Sequence, residues 1–218
     1  MLFADRIDAA QRLAKALGSY HGHNVLVLAI PRGAVPMGQV LAQALEGEMN
    51  VVLVKKLRAP ENEELGIGAV DEHGWVYVAP WARRVDVQPE DIEREKAYQL
   101  GALEARRRSY TPARLPPVIE ARIVIVVDDG IATGSTMVAA LHAVRAQHPK
   151  KLICAVPVAS TEALTRVSEF ADETVCLHSS EDFGSVGQYY RSFGQVSDET
   201  VIQILEEAKS AARPVEHH

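Results

Sequence analysis

Two adjacent carboxylates, Asp128 and Asp129, precede a loop of small residues, and together they are the part of the chain best suited to chemistry. The loop consists of Gly130, Ile131, Ala132, Thr133, Gly134, Ser135 and Thr136. A loop of this composition before a helix offers backbone N–H groups, hydroxyls and the positive end of the helix dipole to a phosphate. Two carboxylates suit the vicinal hydroxyls of a ribose, with a metal ion nearby to offset the negative charge. The alternative is that the acidic pair only caps a turn.

The residues around this pair predict its position in the fold. Four apolar residues, Val124–Val127, indicate a strand that is buried on both faces of a parallel sheet. In open α/β sheets, ligands bind outside the carboxyl ends of the strands, which is where Asp128 and Asp129 would lie. Gly130 and Gly134 permit a tight turn that a side chain would obstruct.

The whole segment Val124–Thr136 closely resembles the motif with which type I phosphoribosyltransferases bind 5-phosphoribosyl-1-pyrophosphate (PRPP). A Walker loop differs, because it lacks the acidic pair and ends in Gly-Lys-Ser/Thr. The resemblance implies that Asp128 and Asp129 are catalytic residues that hold the ribose 2′- and 3′-hydroxyls. It further implies that Gly130–Thr136 bind the 5′-phosphate. The implied cofactor is Mg²⁺, which the two aspartates would contact indirectly or through the ribose.

A second loop, Ala29–Ala34, follows the first predicted strand and contains Pro31, Arg32 and Gly33. The resemblance implies that this loop binds pyrophosphate, and in the family it often contains a non-proline cis peptide bond. Arg32 can pair with phosphate, and Gly33 lets the backbone approach the ligand. The alternative for Arg32 is a solvated arginine in a turn.

Two lysines, Lys55 and Lys56, follow the predicted strand Val51–Val54 and would stand at the same carboxyl edge of the sheet. We expect one of them to face the pyrophosphate. A lysine pair after a strand is also an ordinary solvated strand end, so both interpretations stay open.

Two segments interrupt the alternation of strands and helices. Residues 57–118 form a predicted insertion, whose first part, 57–80, is expected to be a mobile lid with few buried anchors at Glu61–Glu64. Residues 178–196 form a predicted hood over the acceptor. Phe183, Tyr189 and Tyr190 would either stack on a flat acceptor or form the hood's own core. The stretches 30–70 and 183–197 resemble a family of predicted phosphoribosyltransferases with no firmly assigned acceptor.

The remaining chain predicts the fold class. Apolar strands at Val25–Ile30, Val51–Val54, Ile123–Val127, Leu152–Val158 and Thr174–Leu177 alternate with segments of helical periodicity. This pattern predicts an α/β fold in a single domain, 1–218, with one open parallel sheet and helices on both faces. A short hairpin is predicted within the insertion, from Ile67–Val70 and Trp75–Val78. A charged helix after it is predicted to end in Arg106–Arg108, which are either a candidate site or a solvated helix end.

Composition narrows the classes of function. The formal net charge of −6 argues against a nucleic-acid surface. No run reaches the ~18 apolar residues of a membrane span. Cys154 and Cys176 each lie in an apolar run, which predicts buried thiols and a reducing cytoplasmic location.

We therefore interpret the chain as a phosphoribosyltransferase that uses PRPP and Mg²⁺ and releases pyrophosphate. The acceptor is expected to be a nitrogenous small molecule, with no membrane or nucleic-acid partner. One rival is a regulatory protein that senses PRPP or a nucleotide without catalysis, and another is a hydrolase or pyrophosphokinase-like enzyme on the same sheet. The acceptor's identity and the oligomeric state stay open, with a homodimer as one option.

Overall fold

The computed structural model describes residues 2–60, 62–84, 87–110 and 117–211, without the side chains of residues 63, 64, 83, 210 and 211. The helices are α1 (Arg6–Ala16), α2 (Val35–Leu45), α3 (Pro89–Tyr110), α4 (Ser135–Arg145), α5 (Thr161–Ser168) and α6 (Asp198–Ala211). The strands are β1 (Leu26–Ala29), β2 (Glu48–Val51), β3 (Val54–Ala59), β4 (Asn62–Asp71), β5 (Val76–Val78), β6 (Ile123–Val127), β7 (Lys151–Ser160) and β8 (Glu173–Ser180). Short 3₁₀ helices lie at Gly18–Tyr20, Pro80–Arg84 and Val186–Tyr189.

A five-stranded parallel sheet of order β2-β1-β6-β7-β8 forms the centre of the molecule. Its strands are apolar throughout because helices cover both faces. In β6, Ile125 and Val127 join a buried cluster with α1, α2 and α6, whereas Val124 and Val126 join another with α4 and α5. This arrangement confirms the predicted α/β fold with one parallel sheet between two layers of helices.

The register of the sheet determines which loops meet. β1 and β6 are neighbours, with Ala29 opposite Val127, and both strands end at these residues. The loop that contains Arg32 and the pair Asp128–Asp129 therefore leave the sheet side by side. On the other side of β6, Ile131 pairs with Ala159 of β7 and ties the small-residue loop to the sheet edge.

The structure corrects the predicted second parallel strand. The sequence predicts this strand at Val51–Val54, but β2 spans Glu48–Val51 and pairs with β1. Val54 already begins β3, which belongs to a separate antiparallel sheet of order β3-β4-β5. Every residue of the apolar run 51–54 is buried. Because the run crosses two elements without a polar break, hydrophobicity does not mark the boundary between them.

The segment predicted to be a mobile lid, 57–80, forms most of this antiparallel sheet. Leu57, Ile67 and Val70 are buried anchors, and the sheet packs on α4. The predicted hairpin exists, but β4 is longer than expected. A glycine such as Gly68 is easily taken for the end of a strand, but here it lies inside β4. A Cβ at this position would lie 2.1 Å from the carbonyl oxygen of Tyr77, so the glycine permits a close contact between two strands. Glu61 and the side chains of Glu63 and Glu64 lie outside the described residues, so mobility of this tip stays a prediction.

The predicted hood follows β8 and is attached to the N-terminal segment. The backbone N–H groups of Leu2 and Phe3 donate to the carbonyl oxygen of Tyr189, and that of Arg191 donates to Phe3. The N–H of Thr200 donates to the Ser197 hydroxyl, which caps the last helix, α6. The N-terminal segment therefore packs against the hood through backbone hydrogen bonds.

The remaining composition-based expectations concern the thiols and the membrane. Cys154 is fully buried and Cys176 partly buried, and both are free thiols. Within the described ranges, no helix combines the length and the hydrophobicity that crossing a bilayer requires.

The central strand offers a test of the packing. We expect Ile125→Ala to lower the free energy of unfolding by about 2–5 kcal/mol, because it empties a fully buried position between β6 and the helices. Ile7→Ala is the matched control, since Ile7 is 40% exposed on α1 and should change stability by about 0.5 kcal/mol or less. Urea unfolding of both variants measures the difference, and equal losses would contradict the assignment of β6 as the core strand.

Candidate functional site

A cleft of about 460 Å³ opens at the carboxyl edge of the parallel sheet, above β1 and β6. It brings together most of the residues singled out from the sequence. The predicted site residues that line the cleft are Pro31, Arg32, Gly33, Lys56, Asp128, Asp129, Gly130, Ile131, Ala132, Thr133, Gly134 and Thr136. Five predicted residues do not line it: Lys55, Ser135, Phe183, Tyr189 and Tyr190.

The acidic pair forms the floor of this cleft. The Asp129 N–H donates to Asp128 Oδ1 over 2.9 Å, which fixes the two residues relative to each other. Burial raises the pKa of Asp128 well above its usual range, and the neighbouring Asp129 charge raises it further. Burial raises the pKa of Asp129 too, but the Arg6 guanidinium opposes that rise. Hydrogen-bond donors that a ligand brings would oppose this rise in pKa, because they favour the charged form of a carboxyl group.

Arg6 is the site residue that the sequence did not reveal. Its Nε lies 2.8 Å from Asp129 Oδ2, and its Nη1 donates to the Gly194 carbonyl oxygen over 2.7 Å. The guanidinium also lies 3.8 Å from the centroid of the Phe193 ring. Asp5 begins α1 by capping the N–H groups of Ile7 and Asp8, which places Arg6 in the first turn. An arginine in a helix of ordinary periodicity gives no signal of a partner 123 residues away.

The loop after β1 approaches the acidic pair closely enough to require glycine. A Cβ built on Gly33 would lie 2.1 Å from Asp129 Oδ2, so any side chain there would displace the carboxylate. The peptide bond between Pro31 and Arg32 is cis, a question that the resemblance had left open for this loop. The two loops that leave β1 and β6 thus form a continuous surface.

The small-residue loop has the geometry of a phosphate site. Gly134 has φ of +83° and stands at the N-cap of α4, a conformation that favours glycine. Within the described part of the chain, the backbone N–H groups of residues 132–136 donate to no protein acceptor. The carbonyl oxygens of Ala132 and Thr133 are held by Ser160 and Arg166. The N–H groups therefore remain available to an anion at the N-terminus of α4.

Ser135 is the exception in this loop. Its hydroxyl is buried, does not line the cleft, and has no hydrogen-bond partner among the described residues. We therefore place Ser135 in the site through its backbone N–H alone.

The predicted cations take different positions. Arg32 lines the cleft and lies 3.4 Å from Asp198 at the start of α6. Lys55 and Lys56 do not end the second parallel strand as predicted, because both lie within β3. Lys56 lines this cleft and an adjoining one, whereas Lys55 lines only the adjoining one. Of the lysine pair, Lys56 alone therefore reaches the main cleft.

The hood supplies a wall made of other residues than those predicted. Tyr189 is 9% exposed and Tyr190 2% exposed, and Phe183 stacks on Tyr189 with ring centroids 5.1 Å apart. These aromatic side chains form the hood's own core, which was the second of the two interpretations. The Tyr190 hydroxyl donates to the Asp129 carbonyl oxygen over 2.6 Å and so supports the acidic pair from behind. The hood side chains that face the cleft are those of Val186, Phe193, Gln195 and Val196.

The Phe193 ring has two neighbours but is still 37% exposed. Tyr190 stacks on it at 4.9 Å between centroids, and the Arg6 guanidinium lies 3.8 Å from its centroid. The side chain lines the cleft. Gln195 adds an amide that can both donate and accept hydrogen bonds.

The donor set permits a metal ion that arrives with a ligand. Among the described residues, no group of three or more Asp, Glu, His or Cys side chains could hold a metal ion by itself. Mg²⁺ in phosphate sites usually takes one or two carboxylates together with phosphate oxygens and water. Asp128 and Asp129 fit that role if the ligand supplies the remaining oxygens.

A family model described as "Phosphoribosyl transferase domain" matches residues 4–192 of the chain. Two proteins of Mycobacterium tuberculosis, named "Putative phosphoribosyl transferase Rv0571c" (strain H37Rv) and "Putative phosphoribosyl transferase MT0597" (strain CDC 1551), are each 37% identical over 208 residues. The match covers 95% of this chain and 47% of each relative, so the chain spans about half the length of these curated relatives.

A solved structure is also similar over nearly the whole chain. The crystal structure of TT1426 from Thermus thermophilus superposes with a TM-score of 0.80 at 42% sequence identity. The superposition covers 95% of this chain and 99% of TT1426. At this similarity the two chains share the same fold.

The ion pair between Arg6 and Asp129 should stabilise the fold in a pH-dependent manner. We expect Arg6→Met to lower the free energy of unfolding at pH 7 by about 3 kcal/mol, because it leaves a largely buried carboxylate without its partner. A carboxyl group whose pKa is higher in the folded than in the unfolded state costs stability above the folded-state pKa, and this cost vanishes below the unfolded-state pKa. Loss of Arg6 raises the folded-state pKa of Asp129 further, so the deficit should shrink as the pH falls.

Arg12→Met is the matched control for this measurement. Arg12 lies on the same helix, pairs with Asp8 at the same 2.8 Å and contacts the ring of Phe3, but its side chain is 51% exposed. Its loss should be much smaller, since solvent screens the pair. Urea titrations of both variants between pH 4 and 8 would contradict the assignment if the two losses were equal at every pH.

Proposed function

The chain belongs to the phosphoribosyltransferase family, and on that premise we propose that it transfers the phosphoribosyl group of PRPP to a nitrogenous small molecule and releases pyrophosphate. The observation that carries this proposal is the convergence of three kinds of group in one cleft. Adjacent carboxylates suit the ribose hydroxyls, the N-terminus of α4 suits the 5′-phosphate, and the loop with Arg32 suits the pyrophosphate. All three groups are needed for the argument, because any two of them would suit a simpler sugar phosphate as well as PRPP.

The positions of these groups in the cleft support the proposal. The 5′-phosphate would bind the free N–H groups of residues 132–136, at the positive end of the α4 dipole. Asp128 and Asp129 would accept hydrogen bonds from the ribose hydroxyls. Arg32 and Lys56 would hold the pyrophosphate, and Gly33 leaves room for it beside the carboxylates.

The reaction would be a displacement at C1 of the ribose. A nitrogen lone pair of the acceptor forms the new bond to C1, while the bond between C1 and the pyrophosphate oxygen breaks and its electrons leave with pyrophosphate. The protein contributes by positioning the ribose and by placing positive charge where negative charge develops on the leaving group. Bound with the substrate, Mg²⁺ would add charge stabilisation at the pyrophosphate oxygens, and Asp128 and Asp129 would hold it through the ribose.

The wall available to the acceptor is mostly apolar. Val186 and Val196 offer aliphatic surface, Phe193 offers its exposed ring, and Gln195 offers one amide. These groups suit a small flat molecule that makes few directional contacts with the protein. The proposed acceptor class is therefore a heterocyclic base or a comparable small amine.

The decisive experiment is a screen for pyrophosphate release. Purines, pyrimidines and small amines are incubated one at a time with the protein, PRPP and Mg²⁺, and pyrophosphate is detected. Release that depends on one acceptor would support transfer. Binding of PRPP without release for any acceptor would favour a sensing role, and absence of PRPP binding would overturn the proposal.

The carboxylate pair provides the first site-directed test. We expect replacement of both Asp128 and Asp129 by Asn to lower the affinity for PRPP at least about tenfold, because charge-assisted hydrogen bonds to the ribose hydroxyls contribute about 1.5–3 kcal/mol each. Isothermal titration calorimetry gives the affinity directly. Asp172→Asn is a control, since Asp172 is paired with Arg145 away from the cleft. Unchanged PRPP affinity in the double variant would rule out the assigned ribose site.

Arg32 provides a test of the pyrophosphate loop. We expect Arg32→Ala to weaken the binding of PRPP and of pyrophosphate at least about tenfold, because a charged hydrogen bond is lost. Binding of ribose 5-phosphate, which lacks the leaving group, should change little. Equal losses for all three ligands would mean that the loop after β1 does not hold the pyrophosphate.

A further inference from the structure

The small-residue loop is held by its carbonyl oxygens from the side of β7 and α5. The Ile131 oxygen accepts from the Ser160 N–H over 2.9 Å, and the Ala132 oxygen accepts from the Ser160 hydroxyl over 2.8 Å. The Thr133 oxygen accepts from Nη1 of Arg166 over 2.6 Å. Two residues therefore fix three consecutive carbonyl groups of the loop, Ser160 at the N-cap of α5 and Arg166 in its last turn.

These hydrogen bonds determine where the N–H groups of the loop point. In a planar trans peptide unit, the carbonyl group of one residue and the N–H of the next point in opposite directions. The carbonyl groups of residues 131–133 share their peptide units with the N–H groups of residues 132–134. Because the carbonyl groups turn towards α5, these N–H groups turn away from it. They are among the N–H groups assigned above to the 5′-phosphate.

Arg166 contacts the loop without lining the main cleft. Its side chain is 15% exposed and lines a separate space of about 170 Å³ together with Ala132 and Thr133. Its charge therefore acts on the loop through the Thr133 carbonyl group. A charge-assisted hydrogen bond to that oxygen also polarises the peptide unit, so that the Gly134 N–H becomes a stronger donor.

Trp81 lies against the guanidinium of Arg166. The guanidinium carbon is 5.2 Å from the centroid of the Trp81 ring. The indole Nε1 of Trp81 donates to the carbonyl oxygen of Gly66 in β4 over 3.0 Å. A continuous set of contacts thus joins the antiparallel sheet, through Trp81 and Arg166, to Thr133 of the small-residue loop.

A surface ion pair with Glu162 is the other explanation for Arg166. Nη2 of Arg166 lies 2.6 Å from Glu162 Oε1, one turn earlier on α5. The Glu162 side chain is 83% exposed, and such solvated pairs contribute little to stability. The contacts with Trp81 and Thr133 account for the burial of Arg166, and the pair with Glu162 does not.

We propose that Arg166 is a positioning residue for the 5′-phosphate. Supported by Trp81, it fixes the small-residue loop with its N–H groups turned towards the anion before a ligand arrives. The loop then does not have to become ordered when phosphate binds, which lowers the entropic cost of binding. The role in PRPP binding rests on the proposed function, whereas the effect on the free loop does not.

The test compares ribose 5-phosphate with pyrophosphate, because only the first carries the 5′-phosphate. We expect Arg166→Met to weaken ribose 5-phosphate about tenfold, since the loop must then become ordered on binding. Pyrophosphate, assigned to the loop after β1, should bind nearly as before. Arg166→Lys should recover most of the affinity, because an ammonium group can still donate to the Thr133 oxygen. Calorimetry on the full chain measures all of these affinities.

Glu162→Gln is the matched control. It removes the ion pair and leaves the hydrogen bond from Arg166 to Thr133 in place, so ribose 5-phosphate should bind as in the natural protein. An equal loss in Glu162→Gln and Arg166→Met would assign the effect to the ion pair and overturn the proposal. Unchanged ribose 5-phosphate affinity in Arg166→Met, or an equal loss for pyrophosphate, would overturn it too.

A double-mutant cycle tests the contribution of Trp81. We expect Trp81→Leu to weaken ribose 5-phosphate about threefold in the natural protein, which is the effect of losing a partly exposed cation–π contact. In the Arg166→Met background the same substitution should cause no further loss. Additive losses would show that Trp81 acts without Arg166 and would overturn its supporting role.

The order of the free loop is measured without any ligand. In ¹⁵N relaxation experiments, the N–H order parameters of residues 132–134 should be about 0.85 in the natural protein and fall towards about 0.6 in Arg166→Met. Unchanged order parameters would overturn the positioning role even if the protein transfers phosphoribosyl groups. If they fall but the natural protein binds neither ribose 5-phosphate nor PRPP, the role of Arg166 in the loop stands and the proposed function fails.

Discussion

The charge of Asp129 is the constraint on which the rest of the site depends. A carboxylate at the end of a buried strand, directly beside Asp128, requires a positive partner that does not come from the strand itself. Arg6 provides it from the first turn of α1 and is itself 13% exposed. The same guanidinium holds the Gly194 carbonyl oxygen and covers Phe193. One side chain therefore joins the N-terminal helix, the hood and the acidic pair.

Close approach of loops is the second requirement, and glycine satisfies it at two points. A Cβ at Gly33 would meet the Asp129 carboxylate at 2.1 Å, and one at Gly130 would meet Val186 of the hood at 2.6 Å. The loops that follow β1, β6 and β8 are consequently packed against one another at the sheet edge. Loops that are already packed against one another do not have to become ordered when a ligand binds, and this lowers the entropic cost of binding.

The features that follow from local sequence could be predicted, and those that depend on distant contacts could not. The acidic pair, its loop and the parallel strands carry their own signals of apolar runs, charge and small residues. Arg6 carries none, because its partner lies far away in sequence. The boundary between β2 and β3 was hidden by one apolar run, and the aromatic residues of the hood were equally compatible with a stacking role and with a small core. The burial of Tyr189 and Tyr190 shows that these residues form a small core of the hood.

The phosphorylated ligands of the proposed function require positive charge in a chain that is acidic as a whole. The formal net charge is −6, yet the cations at the carboxyl edge are divided among three places. Arg6 is used internally against Asp129, Arg32 and Lys56 face the main cleft, and Lys55 with Arg106 faces the adjoining one. Neighbouring residues of a strand point to opposite sides. Lys55 lines only the adjoining cleft, whereas Lys56 borders both, so the antiparallel sheet that carries this lysine pair supplies cations to two neighbouring clefts.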